Sequence, residues 1–259
     1  MIIAFANQKG GVGKTTTTLN VGAYLAKKGK KILLVDLDPQ GNLSSGVGCK
    51  KSRNKMLDQD NVPTVYDVLI NNIKISKVFV ATKVPQLFIV PSNLDLAGAE
   101  IELVSLMSRE NRLNKALEQV KDQYDYILID CPPSLGLLTI NALAAADHLI
   151  IPVQCEYFAL EGLSQLLEMV KMVHKSLNSK LNVLGVILTM YDSRTRLSDT
   201  VVREIRGFFK DKVFSTIIPR NVKLSESPSH GKPISEYMPK SRGGLAYDKL
   251  AQEIIDKTT

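Results

Sequence analysis

The chain has 259 residues, 44% apolar and 23% charged, with a formal net charge of +7. That suits a single globular α/β domain over residues 1–259 with a sizeable core. No stretch reaches the ~18 uninterrupted apolar residues of a membrane span, and three cysteines without a CxxC pair and three histidines without ligand spacing exclude a disulfide framework or zinc site and fit a reducing cytoplasm.

In chain order, short apolar runs rich in β-branched residues fall at 2–6, 32–36, 87–90, 126–130, 149–153, 183–188 and 213–218. They do not alternate apolar with polar, so they read as strands buried on both faces. The first leads directly into a glycine-rich loop, with no basic leader or cleavage site, and is a strand rather than a signal peptide. Helical patterns lie between the runs. One covers 14–28 and stops at Gly29, a left-handed cap. Another opens at Thr64 with Asp67 three residues on, a relative of the capping box. Further helices fall near 96–107, 111–122, 136–146, 159–178, 196–210 and 244–257. This alternation implies a mostly parallel β-sheet with helices on both faces. The polar stretch 46–63 reads as a surface excursion.

The loop after the first strand reads NQKGGVGKTTTT, residues 7–18. Strand, glycines, Lys-Thr and helix follow in the order a phosphate-binding loop requires, which a chance glycine turn would not reproduce. The N–H groups of Gly10, Gly11, Val12 and Gly13 can wrap phosphate oxygens, because glycine lets the backbone approach closely. Lys14 reaches the β- and γ-phosphates, Thr15 ligates Mg²⁺ and Thr16 bonds a phosphate oxygen. The spelling is unusual: Gln8 stands where the common pattern has glycine, and a second lysine, Lys9, is added.

Two strands end in acids: 32–36 runs into Asp36 and Asp38, and 126–130 into Asp130. In parallel α/β sheets ligands sit beyond the C-terminal strand ends, so these acids face the loop. Asp130 fits the residue that holds Mg²⁺ through water. Asp38 can orient the attacking water, with Asp36 a partner of Lys14 or the metal. The alternative for each is a helix cap.

Charge is uneven: residues 1–60 sum to +6, 61–190 to −3 and 191–259 to +4. Solubility or a polyanion partner would explain the C-terminal excess. Around 196–210, Leu197, Val201, Ile205 and Phe208 share a helix face. Arg196, Arg203 and Lys210 recur every seven residues opposite it, with Arg206 beside them and Asp199 partly neutralising Arg203. Arg194, Lys223, Lys240 and Arg242 add charge in nearby segments.

The stretches KGGVGKTT, LLVDLDPQGN, ILIDCPPSLG and IPRNVKLSESPSHGKPI together resemble the ParA/Soj chromosome- and plasmid-partition ATPases, in the deviant-Walker branch of P-loop NTPases that also contains MinD. The likeness runs from Ile2 to near Ala251, and the last stretch points to ParA/Soj in particular. It implies that Lys9 reaches across an ATP-sandwich homodimer to the partner's phosphates, the alternative being its own. It also implies that Pro219, Arg220 and Asn221 touch adenine, and that Arg194 and Lys223 serve DNA binding, through phosphates and so without sequence preference. A ParB-type partner would accelerate slow hydrolysis, on a cytoplasmic, nucleoid-associated protein without a membrane role. A MinD-like membrane ATPase is the alternative, but the C-terminal stretch LAYDKLAQEIIDKTT carries Asp248, Glu253 and Asp256 and makes a poor anchor. A metabolic ligase or a reductase on the same loop is another; Cys131 and Cys155 read as small buried side chains rather than cluster ligands.

Overall fold

The computed structural model describes residues 1–49, 62–156 and 163–259. Seven strands, β1 (Ile2–Phe5), β2 (Ile32–Asp36), β3 (Val80–Ala81), β4 (Leu87–Val90), β5 (Tyr126–Asp130), β6 (His148–Gln154) and β7 (Asn182–Thr189), form one sheet in the order β3-β4-β2-β5-β1-β6-β7. Every neighbouring pair is parallel except β3–β4. All residues of β1, β2 and β5 are buried, which is why these runs carry no polar alternation.

Successive strand residues feed two cores. Ile3 and Phe5 point to the side covered by α1 (Lys14–Lys27), α2 (Asn42–Gly46), α9 (Val222–Glu226), α10 (Ile234–Tyr237) and α11 (Arg242–Thr258). Ile2 and Ala4 point to the side covered by α3 (Val65–Leu69), α4 (Leu96–Glu102), α5 (Arg112–Leu117), α6 (Leu137–Ala145), α7 (Leu163–Ser176) and α8 (Arg196–Phe209). α1 lies hard against the sheet: a Cβ on Gly22 would come within 2.7 Å of the Leu34 side chain. Gly29 takes φ +82° just past the end of α1, as the sequence implies. Thr64 and Asp67 form the expected capping box on α3.

Three expectations need correction. The run 213–218 is not a strand. Val213 and Pro219 bridge Val186 and Tyr191 in isolation; between them the N–H groups of Ser215 and Thr216 donate to the Glu253 carboxylate, at 2.6 and 3.0 Å, which draws the backbone off the sheet edge toward α11. The helices expected over 96–107 and 111–122 are shorter, each continuing as separate 3₁₀ turns at 103–105 and 121–123. On α8, Val201 and Ile205 enter the core, whereas Leu197 and Phe208 are 43% and 64% exposed; buried Ser198 takes the inward place instead. Of the surface excursion at 46–63, residues 50–61 lie outside the described residues, as do 159–162 of the helix expected from 159.

Candidate active site

The loop between β1 and α1 is held by hydrogen bonds from within the chain. Asn7 Nδ2 donates to the Pro152 carbonyl at 2.8 Å, and Asn7 Oδ1 accepts the Lys9 N–H at 3.0 Å. The Thr189 hydroxyl donates to the Val12 carbonyl at 2.8 Å. The loop is thus tied to the C-terminal ends of β6 and β7. Gly11 and Gly13 take φ of +76° and +87°, left-handed conformations that a side chain would strain. Gly13 caps α1 without a side-chain hydrogen bond, so the first N–H groups of the helix are open to an anion.

Lys14 is buried, and its ammonium donates to the Lys9 carbonyl at 3.1 Å. Burial lowers its pKa, while the charges of Asp130, Cys131 and Asp38 oppose the shift. Lys9 is half-buried; its peptide is engaged at both ends, and its ammonium has no partner among the described residues.

Asp36 and Asp130 are register neighbours at the ends of β2 and β5, both fully buried. Burial pushes Asp36 up to about 6, against hydrogen bonds from Ser44. The same desolvation raises Asp130 well above the ordinary carboxylate range, helped by the charge of Asp36 and opposed by a hydrogen bond from Thr15. The two acids are used differently. Asp36 accepts the Ser44 N–H at 2.8 Å and hydroxyl at 2.7 Å, within the first turn of α2, whose N-cap is Gly41, and the charges that act on Lys14 are those of Asp130, Cys131 and Asp38. Asp130 takes the Thr18 hydroxyl at 3.5 Å on Oδ1 and keeps its buried Oδ2 without a partner among the described residues, with Thr15 acting on the same carboxyl. An orphaned carboxyl oxygen next to a hydroxyl fits Mg²⁺, which takes one or two protein ligands and completes its shell with water and phosphate. No group of three or more His, Cys, Asp or Glu capable of holding a metal occurs among the described residues. Asp38, 9% exposed, acts on the Lys14 charge and accepts the Gln40 N–H at 2.9 Å.

Pro219 bridges Tyr191, and the Arg220 N–H donates to the Tyr191 carbonyl at 2.9 Å. Asn221 uses its side-chain oxygen to cap α9 at the Lys223 N–H, 2.9 Å. Sequence reasoning missed Asn7, Thr189, Ser44 and Ser92. Asn7 and Thr189 sit at or just past strand ends, where a lone buried polar residue faces the site, and that position was the available signal; Ser44 lies within α2 and Ser92 past β4, and their partners come from other segments.

The basic residues form no single patch. The Tyr191–Pro219 bridge brings the segments of Arg194 and Lys223 together. α11 starts against α9, with Gly243 so close to Leu224 that a Cβ would lie 2.7 Å away, which adds Lys240 and Arg242 to that edge. Arg196 begins α8 there. Arg203, Arg206 and Lys210 continue down α8, 14 residues long, so Lys210 lies about 20 Å away. All are exposed except half-buried Lys223. Each of the two basic side chains assigned to DNA by resemblance carries its own acid: Arg194 pairs with Asp192 at 2.6 Å, and Lys223 with Glu226 at 2.8 Å. Asp199 accepts the Tyr191 hydroxyl at 2.6 Å instead of neutralising Arg203. The apolar face of α11 that includes Tyr247, Leu250 and Ile254 is buried in the core, while Leu245 on the same helix is 53% exposed; among the described residues no helix is long and apolar enough to cross a membrane. Cys131 and Cys155 are buried, and burial raises both thiols, Cys155 to about 12.

A glycine loop on a central strand, a buried lysine at the start of the next helix and acids at adjacent strand ends define a P-loop NTPase of the deviant-Walker type. The profile of a family described as an AAA domain matches residues 1–183. The chain is 58% identical to the sporulation initiation inhibitor protein Soj of Bacillus subtilis, covering 98% of this chain and 97% of that one, and 55% identical to the chromosome-partitioning ATPase Soj of Treponema pallidum, covering 98% and 96%. It belongs to the Soj/ParA family of chromosome-partitioning ATPases. Among solved structures, a Mycobacterium smegmatis protein described as cobyrinic acid a,c-diamide synthase, with bound ADP and magnesium, superposes with a TM-score of 0.83 at 38% identity, covering 98% of this chain and 93% of that one. That description names the metabolic class weighed above, but the higher identity over nearly whole chains lies with the partition proteins.

Proposed function

We propose that this chain is an ATP-driven DNA-segregation switch: with ATP and Mg²⁺ it forms a sandwich homodimer, binds double-stranded DNA without sequence preference, and is released by hydrolysis that a ParB-type partner accelerates. The observation that carries the reading is Lys9. Its peptide is clamped by Asn7 and Lys14, yet its half-buried side chain ends in an ammonium with no partner among the described residues. Two triphosphates facing each other in a low-dielectric interface repel strongly, and a lysine supplied by each subunit to the other offsets that repulsion, making dimerisation depend on ATP.

Within one subunit, Lys14 exchanges the Lys9 carbonyl for phosphate oxygens, and the loop amides with the α1 N-terminus hold the rest of the negative charge. Thr15 and Asp130 would hold Mg²⁺, which supplies charge neutralisation at the transferring phosphoryl group. Asp38 orients water for attack, and Pro219 with the Asn221 amide receives the adenine. Arg194, Lys223, Arg196, Lys240 and Arg242 meet DNA phosphates from one edge, with Arg203, Arg206 and Lys210 extending the track. The protein is then cytoplasmic and nucleoid-associated while it carries ATP. The relatives named for chromosome partitioning support this, as does the ADP and magnesium held by the solved neighbour.

The test measures DNA affinity with ATP, with ADP and without nucleotide, alongside light scattering of Lys9→Ala. Tight binding in the ATP state alone, and a Lys9→Ala protein that binds ATP as a monomer without dimerising, are expected. An ATP-dependent dimer of Lys9→Ala would overturn the role in trans, and equal DNA affinity in all nucleotide states would overturn the switch.

A further inference from the structure

A closed ring of hydrogen bonds surrounds the Asp38 peptide. Asp36 Oδ1 accepts the Asp38 N–H at 3.2 Å, and Asp36 Oδ2 accepts the N–H and hydroxyl of Ser44. The Ser44 hydroxyl oxygen, its proton given to Asp36, accepts the Ser92 N–H at 3.0 Å; the Ser92 hydroxyl then donates to the Asp38 carbonyl at 2.8 Å. All four residues are buried, Asp36 at 0%, Ser44 at 2%, Ser92 at 6% and Asp38 at 9% exposure. They come from three segments that the chain separates widely: the end of β2, α2, and the turn past β4.

Both polar groups of the Asp38 peptide are consumed by this ring, its carbonyl also accepting the Gly41 N–H at 2.9 Å. One carboxyl oxygen is held by the Gln40 N–H, which leaves the other to accept from an incoming group. Ser44 uses its hydroxyl as donor and acceptor at once, which alanine or an apolar residue cannot do. A buried network satisfied at every member resists reorientation, and a loop that orients a nucleophile needs that resistance, since a misplacement of about 1 Å can cost ~10²-fold in rate.

We propose that Ser44 and Ser92 are positioning residues for ATP hydrolysis: the ring they close aims the Asp38 carboxylate, and Ser92, reaching over from β4, is the link that closes it. This rests on the reading of Asp38 as the group that orients water.

The experiment compares Ser92→Ala and Ser92→Thr, each in the wild-type and Asp38→Ala backgrounds, measuring steady-state ATP turnover with Mg²⁺ and the Kd of a fluorescent ATP analogue. In Ser92→Ala, kcat should fall roughly 10- to 100-fold with the nucleotide Kd held within about twofold. Ser92→Thr, which keeps the hydroxyl, should recover most of the loss. On the Asp38→Ala background, Ser92→Ala should cost nothing further, because the ring then has no carboxylate to aim. Full turnover in Ser92→Ala, or a further loss of the same size on the Asp38→Ala background, would overturn the proposal; the second result would mark a general structural role. If Ser92→Ala does not fold, the near-isosteric weak donor in Ser92→Cys carries the test on the same criteria. Normal turnover in Asp38→Ala alone would remove the reading of Asp38 and this proposal with it, whereas loss in Asp38→Ala with full turnover in Ser92→Ala would remove this proposal only.

Discussion

The nucleotide end and the basic edge of the molecule carry charge in opposite ways. At the nucleotide end Asp36, Asp130 and Lys14 are buried, the loop before Lys14 is tied to β6 and β7, and the ionisation of all three groups is displaced by desolvation. At the basic edge the side chains stand in water, and Arg194 and Lys223 are each neutralised by a neighbour on the same short segment. A buried charge that loses its partner costs several kcal/mol, whereas an exposed pair contributes ~0–1 kcal/mol. Substitutions at the first site should therefore act as switches, and those at the second as graded adjustments.

The largest effect is expected at Asp38. Asp38→Ala should slow ATP turnover ~10²–10⁴-fold while ATP binding persists, trapping an ATP-bound dimer that light scattering would detect. Normal steady-state turnover would place the basic edge and this end on the same footing. Next is Lys14→Ala, which removes a charge-assisted contact to phosphate and should weaken ATP binding by roughly 10²-fold, read by titration with a fluorescent analogue.

A pH effect confined to the buried end sharpens the contrast. Asp36 titrates near 6 in the fold and near ~3.9 in an unfolded chain, so the folded state holds that proton more tightly. Its contribution is greatest below pH ~4 and is lost as pH rises to ~6, by up to roughly 3 kcal/mol, and is flat above that. Denaturant unfolding of the nucleotide-free protein and of Asp36→Asn over this window should show the wild type losing ground to the variant; parallel curves would refute it.

The smallest effects belong to the basic edge. Arg194→Ala should weaken DNA binding severalfold and evenly across unrelated sequences, lowering the log–log salt slope by ~0.9 per lost contact. Asp192→Asn should move affinity the other way, because Arg194 no longer has to leave a carboxylate to meet a phosphate. A DNA titration at several salt concentrations reads both, and an unchanged slope in Arg194→Ala would remove that residue from the interface.

The same contrast explains what the sequence disclosed. The strands at 2–5, 32–36 and 126–130 are buried on both faces, so their apolar runs are unbroken and legible. The glycine loop is legible because its left-handed backbone demands particular residues at particular places. α2, α9 and α10 span five, five and four residues, too few turns for a periodicity to declare itself, and β3 is a two-residue hydrogen-bonded edge. Glu253 diverting the 213–218 run is a contact between segments 37 residues apart, which local pattern does not encode. Ser44 and Ser92 are hidden for the same reason: a serine's value there lies in which carboxylate and carbonyl the fold brings to it. The pairing of Arg194 with Asp192 was two residues away in the chain and could have been read from the turn.

The sheet order has a consequence for how the molecule is made. β1, which carries the phosphate loop, is early in the chain and central in the sheet, with β5 and β6 as its two neighbours. A ribosome working at ~5–20 residues per second needs on the order of ten seconds to reach those neighbours. During that interval IIAF is an unpaired, wholly apolar strand attached to a glycine-rich segment with nothing to brace it, since Asn7 and Val12 find their partners only on β6 and β7. The phosphate loop therefore gains its bracing contacts only once β7 has emerged, and until β5 and β6 emerge β1 is an unpaired apolar segment.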